Sequence, residues 1–169
     1  MSIAVFPGYK VLNLGSQGPT VRQLQRDLNA RFKQLGILEA ISVMPDGRFG
    51  SETLSAIKYL QCIGGLPVNG RVEERTLAFV ADGVAGLPIL AAGSSGTSVL
   101  AVQQAILQAQ VRVLKDGDFG PFTERGVKIY QQKSGLAVDG IVGPQTWDKI
   151  VRSRLESLPC AALLPNPYR

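Results

Sequence analysis

The segment Asp116–Trp147 reads DGDFGPFTERGVKIYQQKSGLAVDGIVGPQTW. It contains two turn dipeptides, Asp116-Gly117 and Asp139-Gly140, in which glycine supplies the positive φ that such turns need. Apolar residues recur between them at helical spacing, and Pro121 suits the first turn of a helix. The segment therefore predicts a turn, a helix, a second turn and a further helix over Pro144–Leu155.

The same pattern occurs earlier in the chain. The stretch 46–53, DGRFGSET, aligns with 116–123, DGDFGPFT. The stretch 11–21 aligns in the same way with 89–99, but at a larger offset. The two offsets differ by eight, which places eight extra residues of the first repeat within Lys33–Pro45. The chain is therefore an internal duplication.

Each repeat is predicted to form a small bundle of three helices. Thr20 and Ser98 are interpreted as N-caps of the first helices, because a hydroxyl there can accept a hydrogen bond from an early N–H group. The third helix of the first repeat is placed at about Glu73–Phe79. We predict an N-terminal extension over 1–10, repeat 1 over 11–80, a connector over 81–88, repeat 2 over 89–152 and a tail over 153–169.

The connection between the repeats is apolar. Residues 79–92 read FVADGVAGLPILAA, whereas a flexible tether would be polar and rich in glycine and serine. We expect this segment to pack, so that the two repeats form one rigid body.

Composition excludes several kinds of chemistry. The 169 residues are 45% hydrophobic and 18% charged, as in a folded protein, and no apolar run is long enough to span a membrane. The sequence contains no histidine, which excludes Ser-His-Asp and Cys-His catalysis. With Cys62 and Cys160 as its only cysteines, it cannot form a conventional zinc site. Two cysteines leave open both a disulfide and two free thiols.

Repeat 2 resembles the peptidoglycan-binding-like domain family in the order and spacing of its residues. The positions that carry this resemblance are Gly93, Gly96, Val99, Val102, Gln103, Asp116, Gly117, Phe119, Gly120, Thr123, Tyr130, Gln131, Gly135, Leu136, Val138, Asp139, Gly140, Ile141, Val142, Gly143, Pro144, Thr146 and Trp147. Repeat 1 departs from the family pattern at Asn69, at Glu73-Glu74 and at Leu77. The resemblance implies an all-α fold of two tandem three-helix bundles.

The resemblance also implies a function, that of a non-catalytic module that binds bacterial peptidoglycan or another wall polymer without a metal or cofactor. The candidate ligand-binding residues are Trp147, Gln131, Asp139, Thr146, Lys128 and Lys133. Each also has a structural interpretation. Trp147 can be a core anchor, and Gln131 can satisfy buried backbone groups.

Three other functions are compatible with some features. An interaction or scaffold protein, in the cytoplasm or in a phage particle, could reuse the fold to bind a protein partner. A small muramidase needs two carboxylates and no histidine, but Asp46, Asp116 and Asp139 are assigned to turns. Nucleic-acid binding is not expected, because Arg22 and Arg26 read as part of a solvated helix face.

The net charge and residues 1–10 give limited information about the cellular location of the protein. The net charge is +5 with a pI of about 9.5, which fits several polyanionic partners. Residues 1–10 lack the basic and apolar regions of a secretion signal. We therefore expect an envelope location if the implied function holds, and a cytoplasmic one if the chain has no leader.

Overall fold

The computed structural model describes residues 11–37, 39–155, 160 and 162–163. Within them the regular structure consists of helices, joined by turns and four isolated antiparallel bridges, so the predicted all-α fold is confirmed. The helices are α1 (Pro19–Gln34), α2 (Ser51–Ile63), α3 (Glu74–Asp82), a short 3-10 helix (Gly83–Gly86), α4 (Thr97–Gln108), α5 (Pro121–Lys133) and α6 (Pro144–Leu155). None of the helices in the described part is long and apolar enough to cross a membrane.

The two repeats have the same order of elements, three α-helices each, and in both an Asx-Gly turn precedes the second and third helix. The first residue of each repeat's core is tied back to the turn before the third helix. Leu12 bridges Val72 in repeat 1, and Leu90 bridges Val142 in repeat 2. These pairings close each bundle, because they join the segment before its first helix to the turn before its third helix.

The predicted N-caps are wrong. Helices α1 and α4 begin at Pro19 and Thr97, and the cap positions are Gly18 and Gly96, with φ of 119° and 102°. Glycine is favoured there because a side chain strains a backbone of positive φ. Ser98 lies inside α4 instead, and its hydroxyl donates a hydrogen bond of 3.0 Å to the Gly65 carbonyl of the other repeat.

The connector packs, as predicted, and the repeats share one hydrophobic core. Leu87 of the connector and Leu90 at the start of repeat 2 are each 5% exposed. The indole Nε1 of Trp147 donates to the Pro88 carbonyl at 2.7 Å, which fixes the connector against α6. Gly65 sits so close to repeat 2 that an added Cβ would come within 2.6 Å of the Ala101 Cβ.

A disulfide resolves the alternative that the sequence left open for the cysteines. Cys62 and Cys160 are bonded across a sequence separation of 98, and both are buried. Beside the disulfide, the Arg154 guanidinium donates two hydrogen bonds to the Cys62 carbonyl, of 3.0 and 2.7 Å. The Arg154 hydrogen bonds therefore hold the end of α6 against α2, and the disulfide holds Cys160 against α2.

The predicted domain boundaries stay predictions. The N-terminal extension over 1–10 lies outside the described residues, as do most positions of the predicted tail beyond 155.

Candidate functional site

A buried glutamine joins an Asx-Gly turn to the following helix at four places in the chain. In each case the Asx residue lies seven positions before a threonine in the first turn of the next helix. We call these sets Gln–Asx–Thr networks. They are Gln25 with Asp46 and Thr53, Gln61 with Asn69 and Thr76, Gln103 with Asp116 and Thr123, and Gln131 with Asp139 and Thr146.

The network of Gln131 illustrates the geometry. Its Nε2 donates to the Asp139 carboxylate at 2.8 Å, to the Ile141 carbonyl at 2.9 Å and to the Thr146 hydroxyl at 3.2 Å. Its Oε1 accepts a hydrogen bond of 2.9 Å from the Gly140 N–H group. Gln131 is 1% exposed, so its polar atoms serve the turn and are turned away from solvent.

The sequence indicates the networks only in part. Alignment of repeat 1 with repeat 2 pairs Gln61 with Gln131, but it does not reveal that each repeat contains the Gln–Asx–Thr pattern twice. The detectable signal is an Asx-Gly dipeptide with a threonine seven positions after the Asx, preceded by a glutamine on the helix before it. Repetition of this unit explains why all four turns have the same conformation, with glycine φ between 72° and 82°.

The aspartates of the networks are held in their ionised form. The pKa of Asp139 is lowered from its ordinary value by hydrogen bonds from the Ile141 N–H group and from Gln131. The pKa of Asp116 is lowered by the Asp118 N–H group and by Gln103, and that of Asp46 by Gln25 and the Arg48 N–H group. A carboxyl group that acts as a general acid has a raised pKa, so these groups are poorly suited to donate a proton.

These shifts predict a loss of stability in acid. A folded-state pKa below the unfolded value contributes stability that is complete above the ordinary value of 3.8 and is lost as the pH falls through the folded value. We expect the urea midpoint of the wild type to fall as the pH is lowered through about 4 and below, where these carboxylates become protonated. In the triple variant Asp46→Asn, Asp116→Asn, Asp139→Asn, the urea midpoint should depend less on pH. A midpoint that falls with pH as steeply as that of the wild type would contradict this account.

One network of repeat 1 already has an asparagine in place of the aspartate. Asn69 occupies the aspartate position of its network, and its side-chain oxygen accepts from Gln61 at 3.1 Å and from the Arg71 N–H group at 2.9 Å. Asparagine therefore preserves the acceptor while removing the titrating group.

A shallow groove lies beside the last network of each repeat. The repeat 2 groove, of about 350 Å³, is lined by Gln131, Leu136, Ala137, Asp139, Ile141, Gly143, Pro144, Gln145 and Thr146. The repeat 1 groove, of about 400 Å³, is lined by Gln61, Leu66, Pro67, Asn69, Glu73, Glu74, Arg75 and Thr76. Every residue of the second list aligns with a residue of the first, so the duplicated fold forms the same groove twice.

The structure brings together three of the predicted site residues. Gln131, Asp139 and Thr146 meet at the repeat 2 groove, where Asp139 is exposed and the other two are buried. Lys128 is paired with Glu124 at 2.6 Å. Lys133 donates to the Ala109 carbonyl at 2.9 Å. Neither lysine lines the groove.

Trp147 lies apart from these residues, in the core. It is 1% exposed and its indole N–H group is bonded to Pro88. Its ring therefore offers no exposed face on which a sugar could stack in this structure. The exposed groups that line the groove, Ile141, Pro144 and Gln145 among them, were missed by the sequence analysis because residue type alone does not indicate exposure.

The all-α tandem fold agrees with a comparison to known protein families. A family model described as "Putative peptidoglycan binding domain" matches residues 17–80 and 95–150. The chain belongs to this family. The two matched segments correspond to the two repeats, so the molecule is a tandem protein of the peptidoglycan-binding family.

Two relatives of the chain are named as enzymes. The chain is 30% identical over 166 residues to the N-acetylmuramoyl-L-alanine amidase CwlL of Bacillus licheniformis, covering 83% of this chain and 45% of the amidase. It is 42% identical over 71 residues to the zinc D-Ala-D-Ala carboxypeptidase of Streptomyces albus G, covering 36% of this chain and 25% of that enzyme. The chain thus spans less than half the length of both enzymes.

A solved structure is similar over one part of the chain. It is a peptidoglycan-binding protein from Clostridioides difficile in complex with glutamine hydroxamate, 39% identical, with a TM-score of 0.38 and coverage of 40% of this chain and 42% of that chain.

Proposed function

We propose that this chain is a non-catalytic module that binds bacterial peptidoglycan, with the repeat 2 groove as its principal site. The observation that carries the proposal is the recurrence of one groove at equivalent positions of two diverged repeats. Each groove lies beside a Gln–Asx–Thr network, so its walls are held in place before any ligand arrives. Such preorganisation reduces the cost of binding.

The lining of the repeat 2 groove suits a peptide-bearing glycan. Asp139 presents an ionised carboxylate for an ammonium or amide group, while Leu136, Ile141 and Pro144 supply apolar contact. Helix α6 begins in the groove, and the partial positive charge of a helix N-terminus favours a carboxylate. Peptidoglycan stem peptides contain amide, ammonium and carboxylate groups close together, which matches this mixture.

Repeat 1 is assigned a subsidiary role because its groove has a different charge pattern. Glu73, Glu74 and Arg75 replace Gly143, Pro144 and Gln145 of repeat 2. Glu73 is also paired with Arg71 at 3.0 Å. Two glutamates at the groove repel the carboxylates that the repeat 2 groove would accept.

The absence of catalysis is part of the proposal. The aspartates of the turns are held ionised, and the sequence has no histidine to act as a base. In the part of the chain that the structure describes, no three His, Cys, Asp or Glu residues are grouped so as to hold a metal ion. These residues do not provide a zinc site of the kind that the name of the carboxypeptidase relative implies.

Co-sedimentation with purified sacculi tests the proposal. The variant Ala137→Trp, which fills the repeat 2 groove, should weaken binding by about tenfold. Ala92→Trp is the matched control, because Ala92 is exposed and lies outside both grooves. It should bind as the wild type does.

Other results would contradict the proposal. Equal binding by the two tryptophan variants would exclude the groove as the site. Clearing of a wall suspension by the pure protein would show that it is an enzyme. Failure to sediment, together with a stoichiometric protein partner captured from lysate, would favour the scaffold alternative.

A further inference from the structure

A separate groove in repeat 1 is lined by three arginines. It has a volume of about 480 Å³ and is bounded by Gln17, Gly18, Pro19, Arg22, Gln23, Arg26, Asp46, Gly47 and Arg48. We call it the arginine groove. It shares no residue with the two grooves described above.

The fold brings the three arginines together from two segments. Arg22 and Arg26 lie one turn apart on α1. Arg48 comes from the Asp-Gly turn, which is bonded to the start of α1 by a hydrogen bond of 2.9 Å from the Gly18 N–H group to the Gly47 carbonyl. In the sequence, Arg48 is separated from the other two by the remainder of α1 and the segment that follows it, so the cluster is a product of folding.

The backbone that carries Arg48 is fixed. Its N–H group donates to the Asp46 carboxylate at 2.8 Å, and its carbonyl accepts from Gln25 Nε2 at 3.0 Å. Arg48 also forms an antiparallel bridge with Gln17. The backbone position of Arg48 is therefore set before a ligand binds, and binding needs to order only the end of its side chain.

The charges of the arginine groove are poorly balanced by the protein. All three arginines are exposed, and in the described part of the chain none forms an ion pair with a carboxylate. Arg22 donates instead to the backbone carbonyl of Asp46 at 3.2 Å. Asp46 is the single acidic residue among the lining residues, and one of its oxygens is occupied by Gln25 and by the Arg48 N–H group. The groove thus has an excess of positive charge available to an anion.

Repeat 2 shows that the fold does not need these arginines. The positions equivalent to Arg22, Arg26 and Arg48 are Leu100, Gln104 and Asp118. Repeat 2 nevertheless has the same network, built on Gln103, and the corresponding bridge between Ser95 and Asp118. The three arginines are therefore a property of repeat 1 that the architecture leaves unexplained.

We propose that the arginine groove binds the phosphate groups of a phosphodiester-linked anionic wall polymer. Guanidinium groups form paired hydrogen bonds with phosphate oxygens, and the start of α1 adds the favourable end of a helix dipole. The proposal rests on the proposed function, which places the chain at the wall. It adds a second ligand. The repeat 1 and repeat 2 grooves would bind peptidoglycan, and the arginine groove would bind the polyanion.

The test compares walls that keep their phosphodiester polymers with walls from which these polymers have been removed. The wild type should bind the intact walls about tenfold more tightly, and the difference should diminish with added salt. The variant Arg22→Gln, Arg26→Gln, Arg48→Gln should bind both walls equally. Arg112→Gln, Arg125→Gln, Lys149→Gln removes the same charge from other exposed positions and should behave as the wild type does.

Failure of this inference is distinguishable from failure of the proposed function. Binding to the stripped walls reports peptidoglycan recognition, whereas the difference between the two walls reports the arginine groove. The inference is overturned if the wild type shows no preference for intact walls, or if both triple variants lose that preference equally. It is also overturned if the arginine substitutions weaken binding to duplex DNA or to phosphatidylglycerol vesicles but not to intact walls.

Discussion

Reduction of the Cys62–Cys160 disulfide is expected to lower the free energy of unfolding by about 4 kcal/mol. The disulfide joins residues 98 positions apart, and closing a loop of that length restricts the unfolded chain strongly. It also holds Cys160 against α2, and both cysteines are buried. Urea unfolding of the wild type with and without a reductant measures the effect.

The double variant Cys62→Ser, Cys160→Ser is the control for this experiment. Its urea midpoint should lie near that of the reduced wild type and should not respond to the reductant. A wild type whose midpoint is unchanged by reduction would show that the disulfide does not form in the protein. A double variant that responds to the reductant would indicate another origin for the effect.

The variant Trp147→Ala is expected to destabilise the protein by about 4 kcal/mol. The ring is 1% exposed, it packs near Gly65 of the other repeat, and its N–H group anchors the connector at Pro88. Removal leaves a large cavity where α6, the connector and repeat 1 meet. Thermal or urea unfolding of the variant measures the loss.

A matched variant separates this structural role from ligand contact. Trp147→Phe keeps most of the ring volume but loses the hydrogen bond to the Pro88 carbonyl, so it should lose clearly less stability than the alanine variant. Under conditions where it stays folded, it should bind sacculi as the wild type does. Loss of sacculus binding without loss of stability would instead make Trp147 a ligand contact.

Much of the fold could be predicted from local sequence signals. The helix starts at Ser51 and Pro121 follow from the Asp-Gly turns, and the duplication transfers each assignment from one repeat to the other. The N-caps could not be placed correctly, because Gly18 and Gly96 compete with the hydroxyl residues that follow them, and the backbone conformation decides between them.

Features that join distant segments were less accessible from sequence. The role of Trp147 depends on the carbonyl of Pro88, far away in the chain, and the disulfide joins residues that no local pattern relates. Of the candidate site, the Asp-Gly turn pattern identified Asp139. The arginine groove could not be predicted, because Arg48 and Arg22 come together only when a turn pairs with the start of a helix.

Titration of the isotope-labelled chain with a soluble disaccharide-peptide fragment of peptidoglycan tests the central claim most directly. The backbone amide shifts should change most within the segment 136–146, which contains most of the residues that line the repeat 2 groove. A smaller set of changes should occur within 66–76, which contains most of the lining of the repeat 1 groove. The Ala137→Trp variant should lose the first set of changes. Saturable changes confined to residues outside both grooves, or an unchanged spectrum from a chain that sediments with sacculi, would contradict the account.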